Sequence, residues 1–376
     1  MRGKLDHQGE VFHTFHLEDM IPADHPLRAI KARADVVLGK MSRRFNEAYG
    51  RTGRPSVPPE RLIKALLLQA LYSIRSEIQL CEQIGYNLLY RWFLDMTPSE
   101  AVWTPEVFSM NRKRFDAHGF VREFFDLVVR EAILEGLISG DHFTVDGTLI
   151  QSFASIKSLR PIGTKDAQVS DGADDDDPGN PTIDFRKQKR SNRTHRSIVD
   201  PEARLARKGA GKAAQLCHSG HVLMENRNGL CVAVSVDQAD GYAERLQCHA
   251  LLDHVYRRHR LWPRTLGADA GYRDGNFLDA LEADGITPHV PVGEGAIHGD
   301  NDAAQARRRA WVRRKTRAYA VSQRIRKRVE EIFGWCKSVG SMARSRFVGR
   351  WKLKQQCEVT AAAYNLLRMA RLAPAG

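Results

Sequence analysis

No apolar run in these 376 residues approaches the roughly 20 that cross a bilayer. The opening MRGKLDHQGE also lacks the apolar core of a secretory signal, so the chain is expected to stay in the cytoplasm. Six cysteines (Cys81, Cys217, Cys231, Cys248, Cys336 and Cys357) are scattered without a CxxC pair. That spacing argues against a zinc site and a disulfide framework and leaves reduced, mostly buried thiols. Acids are the scarcer charge: 45 Asp+Glu against 58 Lys+Arg leave a net charge of +13. Such a surface attracts polyanions, and DNA or RNA is the leading partner on charge alone. The excess is concentrated. From Arg307 to Lys354 there are 17 basic residues and two acids, Glu330 and Glu331. A ribosomal or histone-like chain shares that bias but rarely carries large apolar helices as well, and 376 residues with 42% hydrophobic content suffice for two or three globular domains.

Residues 1–138 read as helical. Pro58-Pro59-Glu60 opens ERLIKALLLQALY, in which Leu62, Leu66 and Ala70 recur at helical spacing. Ser76 caps a short helix ending at Gly85, and NLLYRWFLDM follows. Thr104-Pro105-Glu106 then starts VFSMNRKRF, which displays Arg112, Lys113 and Arg114. A further helix runs from about Val121 to Leu134. Short helices ending in a basic one admit two readings: a helix-turn-helix DNA reader, or a bundle with solvated charges.

From Asp141 the character changes. HFTVDGTLI alternates, with Phe143, Val145 and Leu149 on one face and Asp146 on the other. Residues about 161–213 are polar, include the acidic run Asp174 to Asp177, and are expected to form a mobile excursion without a core. HVLMENRNGLCVAVSV reads as two strands about a turn at Arg227-Asn228-Gly229. A helix from Ala243 to Arg258, a buried strand ending at Asp269, a helix from Asn276 to Ala283 and the strand ITPHVPV follow. One long basic helix, about Arg307 to Lys337, and VTAAAYNLLRMARL close the chain. Strand, two strands, helix, strand, helix, strand, helix is the order of an RNase H-like α/β domain, here over 139–376.

Three carboxylates stand out. An aspartate within a strand is disfavoured, and Asp146 sits mid-strand. Asp269 ends an apolar strand between Gly267 and Gly271, although a turn-forming aspartate is the ordinary explanation. On a helical wheel of about 100° per residue, Arg326, Glu330 and Lys337 share one arc beside an apolar stripe, while Glu331 points toward solvent. An intrahelical pair with Arg326 would also account for Glu330. Together the three acids meet a chemical need: in-line phosphodiester cleavage uses two divalent cations about 3.5–4 Å apart. Mg2+ takes oxygen ligands and completes its shell with water and phosphate.

TVDGTLIQSFAS, GADAGYRD and RKRVEEIFGWCK resemble the three catalytic blocks of the insertion-sequence-5-type branch of bacterial DDE transposases. The stretch from THRSIVDPEARLARKG to HVLMENRNGL and the segment GRPSVPPERLIKALLLQALY resemble the same branch, so the likeness spans most of the chain. It implies a helical DNA-binding region before an RNase H-like catalytic domain. It implies that Asp146, Asp269 and Glu330 are catalytic and hold Mg2+, for which Mn2+ can substitute. Double-stranded DNA would be the partner, as transposon ends and as target, in a homodimeric synapse near the nucleoid. The branch pattern Arg, three residues, Glu, six residues, Lys is met by Arg326, Glu330 and Lys337, implying that the two bases hold the DNA end. Its Tyr three residues before the Arg is Gln323 here, which removes the expectation of hairpin ends. A transposase-derived DNA-binding regulator and a host nuclease of the same fold are the rival readings.

Overall fold

The computed structural model describes residues 16–50, 52–53, 55–163, 182–185, 188–209, 212–240 and 243–372. Helices come first: α1 (Leu17–Met20), α2 (Pro26–Ala48), α3 (Pro59–Leu71), α4 (Glu77–Tyr86), α5 (Leu88–Phe93), α6 (Glu106–His118) and α7 (Phe120–Leu134). Local chemistry sets their ends. Pro59 begins α3, Ser76 Oγ accepts from the Gln79 N–H at 3.1 Å to cap α4, and Asn87 caps α5. The apolar stripe of α2 (Leu27, Ile30, Ala34, Val37, Leu38, Met41 and Phe45) is buried at the three- and four-residue spacing of one helix face. Helix α3 has Leu62, Ile63, Leu66 and Leu67 buried and also Lys64, which pairs with Asp35 at 2.7 Å and Asp95 at 2.5 Å.

The sheet begins with β1 (His142–Gln151), followed by β2 (Leu159–Pro161), β3 (Ile183–Phe185), β4 (Gln188–Arg190), β5 (His195–Ser197), β6 (Arg204–Ala206), β7 (Gln215–Glu225) and β8 (Leu230–Gln238). Then come α8 (Ala243–His259), β9 (Thr265–Gly267), α9 (Gly275–Ala283) and β10 (Thr287–His289). The described chain ends with α10 (Asp302–Arg313), α11 (Arg317–Arg326), α12 (Val329–Ser338) and α13 (Arg350–Leu372). Strands β1, β7 and β8 form an antiparallel meander whose last turn carries Gly229 at φ +68°. Strands β9 and β10 add in parallel on the other side of β1, giving the order β8-β7-β1-β9-β10, with β6 on the start of β7. This is the RNase H-like sheet that the element order predicts.

Neighbouring residues of β1 point to opposite faces. Gly147 faces Glu244 of α8, whereas Thr148 accepts a hydrogen bond from Lys337 of α12, so the two helices lie on opposite faces. Helix α13 is buried along most of its length and packs on β8 as well as on α2, α3 and α7. One hydrophobic cluster therefore runs from Ile21 to Met369, through the helices and the sheet alike.

Two expectations need correction. The single basic helix from Arg307 to Lys337 is three helices. Thr316 interrupts it, its Oγ1 accepting the Tyr319 N–H at 3.2 Å, and tight i→i−3 bonds (Glu330 N–H to Lys327 O, 3.0 Å) separate α11 from α12. The polar excursion also has structure over much of its described length. Strands β2 and β5 pair, β3 and β4 pair, and Ala154, Leu159, Ala203, Leu205 and Leu216 form a small second cluster. Asp200, wholly buried, receives the Ser152 hydroxyl at 2.7 Å and faces His218 Nε2 at 2.9 Å, so polar bonds anchor what a small apolar core cannot. The acidic run Asp174 to Asp177 lies outside the described residues.

Candidate active site

Register brings the two aspartates together. Thr144 of β1 lies opposite Gly267 of β9, and these strands run parallel. Two residues further along each chain, past the paired positions, stand Asp146 and Asp269, and the Asp269 charge is felt at Asp146. Each is fixed by its own backbone. Asp146 Oδ1 accepts the Gly147 N–H at 2.8 Å, and Asp269 Oδ1 accepts the Gly271 N–H at 2.8 Å, which opens the short turn after β9. Burial pushes the Asp146 carboxyl up to about 6, and the charges of Asp269 and Glu330 push in the same direction. Arg326 opposes them from α11, with Nη1 3.6 Å from Asp146 Oδ2.

Glu330 sits in the first turn of α12 and is exposed, not tucked at the edge of a buried face as the continuous-helix wheel expects. The tight turn at Lys327-Arg328 accounts for the difference, because it changes the angular step on which that wheel depends. Its charge nonetheless reaches Asp146. Glu331 is exposed as well and lies 3.8 Å from Arg368. Lys337 donates from Nζ to Thr148 Oγ1 at 2.5 Å, two residues beyond Asp146 on the same face of β1. Arg326 and Lys337 thus flank Asp146 and Thr148 along one face of β1. Among the described residues no three acid, histidine or cysteine side chains converge closely enough to form a ready-made metal cage.

The remaining DNA-binding candidates divide. Arg112 is buried, paired with Glu77 and stacked 4.3 Å from the Phe347 ring centroid, so in this structure it is committed to packing within the protein. Lys113 and Arg114 are exposed on the same helix, Arg114 lying over Tyr49. The basic window is also partly committed to the protein itself: Arg309 and Arg313 pair with Glu282, and Arg346 and Arg328 hold backbone carbonyls. Gln323, in place of the aromatic, donates to the carbonyls of His289 at 2.6 Å and Ala268 at 3.4 Å, tying α11 to the ends of β10 and β9. Trp335 packs on Tyr364 at 5.6 Å between ring centroids.

Sequence reasoning missed a fourth acid. Glu244, in the first turn of α8, is driven up to about 7 by burial and by the charges of Asp269 and Asp146. With Asp269 it lines a cavity of about 330 Å³ whose far rim carries Arg207 and Lys208 from the structured excursion. An acid that opens a helix is ordinarily explained by the helix dipole, so its residue type gave no signal. The donor set suits a hard divalent cation: carboxylate oxygens crowd together, burial and mutual repulsion disfavour their charged forms, and Mg2+ needs only one or two carboxylates beside water and phosphate.

Two family models match the chain: Transposase domain (DUF772) over residues 15–114, and Transposase DDE domain over residues 186–366. Glu244, Asp269 and Glu330 fall within the second match, whereas Asp146 precedes it. No curated protein matches. Among solved structures, the Mos1 transposase paired-end complex with left transposon end is 12% identical, covering 81% of this chain and 86% of that one, with a TM-score of 0.20. The Mos1 strand transfer complex is also 12% identical, with 80% and 82% covered and a TM-score of 0.20. Likenesses so distant carry no weight here. The two family matches cover most of the chain and agree in kind: the chain belongs to the DDE transposases.

Proposed function

We propose that this transposase, of the insertion-sequence-5-type branch, cuts the terminal inverted repeats of its element and joins them to target DNA with Asp146, Asp269 and Glu330 as its cation-holding triad. One observation carries the reading: Asp146 and Asp269 each stand two residues past the last paired positions of parallel strands β1 and β9, and the charges of Asp269 and Glu330 are both felt at Asp146. Mg2+ bound there would activate the attacking oxygen and stabilise the leaving one. The protein's own groups do the rest. Asp146 and Asp269, held by backbone N–H groups, keep their outer oxygens directed at the site. Arg326 and Lys337 flank them and contact the phosphates of the DNA end, while Arg207 and Lys208 extend that basic rim. Lys113 and Arg114 are the exposed cations left to the helical N-terminal region for DNA contact. Holding two ends at once calls for a dimer.

Single-turnover cleavage of a labelled duplex carrying the gene's own flanking DNA tests this reading. Cleavage is expected with Mg2+ and none with EDTA. Asp146→Asn, Asp269→Asn and Glu330→Gln should each lose orders of magnitude in rate. Glu331→Gln should cut as the unaltered protein does. If Glu331→Gln is the dead variant and Glu330→Gln is active, the triad assignment is wrong.

A further inference from the structure

The carboxylate of Glu244 lies between Gly147 and Gly271, the glycines that follow the two aspartates. Its Oε1 lies 3.1 Å from the point where a Cβ on Gly147 would stand. Its Oε2 lies 3.3 Å from the corresponding point on Gly271, and Asp269 Oδ1 lies 3.0 Å from that same point. Gly147 directly follows Asp146, and Gly271 follows Asp269 by two residues. Any side chain at either glycine would enter the space this carboxylate uses. The adjacent Arg245, which pairs with Asp274 at 3.5 Å, draws the Glu244 pKa down less than burial and the charges of Asp269 and Asp146 push it up.

An independent observation comes from the strand behind it. His221 lies opposite Gly147 in the β1–β7 ladder and is wholly buried. Its Nδ1 stands 3.4 Å from the same Gly147 point that Glu244 approaches, and among the described residues neither ring nitrogen has a hydrogen-bond partner. Buried polar groups are nearly always satisfied, so an orphaned imidazole beside a carboxylate points to a polar occupant between them.

We propose that Glu244 is a fourth carboxylate of the catalytic centre, binding a divalent cation jointly with Asp269, with His221 positioned to hydrogen-bond water in that cation's shell. The proposal rests on the triad reading above and extends it. A hard cation with oxygen ligands and retained waters fits this surround better than a soft one, since Cys248 lies on the same helix but is buried in the core.

Mn2+ titration of the DNA-free protein, followed by electron paramagnetic resonance, reads the site without requiring activity. Glu244→Gln keeps the side-chain shape, and circular dichroism checks its fold. Mn2+ affinity is expected to fall roughly tenfold or more, with Glu331→Gln unchanged. Asp146→Asn separates the two readings. If Asp146→Asn loses Mn2+ affinity and Glu244→Gln does not, the fourth ligand is overturned and the triad stands. If neither variant changes Mn2+ binding, both fall. Loss in both, with Glu331→Gln as control, supports the fourth carboxylate.

Discussion

Asp146 illustrates what a single residue owes to its surroundings. Its sequence position marks it as an odd strand residue, but the charges that perturb it come from Asp269, Arg326 and Glu330, which are 123 or more positions away. Histidines show the same dependence with the opposite sign. His289 is 5% exposed, and burial, then the charges of His142 and Arg313, hold its imidazole down to about 4 from an ordinary 6.5. Between those values the unfolded chain binds the proton that the folded chain refuses. Stability therefore rises with pH through that window and is lost on acidification from 6.5 toward 4. His289→Gln should flatten this dependence. Urea unfolding at pH 7 and pH 4.5 would show a smaller loss in the variant than in the parent protein, and equal losses would mean that His289 titrates normally.

At the scale of elements, the edge strand β8 shows how a sheet margin is closed. A register shift between Leu223 and Met224 interrupts its ladder with β7. Beside it, the buried Asn365 of α13 accepts the Cys231 N–H at 2.9 Å and donates to the Cys231 carbonyl at 2.7 Å. One amide thus replaces a missing strand partner and joins helix to sheet. Asn365→Leu would leave both backbone groups buried and unpaired, at a cost of about 1–3 kcal/mol. Urea denaturation with an unchanged m-value would measure it, and a loss below about 0.5 kcal/mol would mean that those groups find other partners. The reading of most elements from sequence holds because caps and periodicity are local: Ser76, Asn87 and Gly229 act within a few residues of themselves. The long basic helix misled because charge patterning says nothing about a Thr316 cap in its middle.

Across the whole molecule, α13 makes the helical region and the sheet one packed body. It lies on α2, α3 and α7 on one side and on β8 on the other, within a single hydrophobic cluster. Residues 1–138 and 139–376, proposed as separate domains from the change in sequence character, should therefore unfold together. Differential scanning calorimetry is expected to give one transition whose calorimetric and van't Hoff enthalpies agree, and two resolved peaks would show independent domains. Charge also looks different at this scale. The 17 bases from Arg307 to Lys354 read as a DNA surface, yet Arg309, Arg313, Arg328 and Arg346 are bound within the protein. A count of charges carries no record of which acids or carbonyls will lie opposite them.

The sequence by itself determined the order of most elements and the strand that carries Asp146. Those features reside in local patterning, where alternation, caps and turn residues act over a few positions. Only the tertiary structure decided that parallel pairing of β1 with β9 brings the Asp269 charge to bear on Asp146, that Arg112 is a packing residue, and that Glu330 is exposed. It alone brought Glu244 between Gly147 and Gly271, with His221 behind it. An acid in the first turn of a helix looks the same in sequence whether it meets a dipole or a metal, because the difference lies in what the strands of a distant sheet put in front of it.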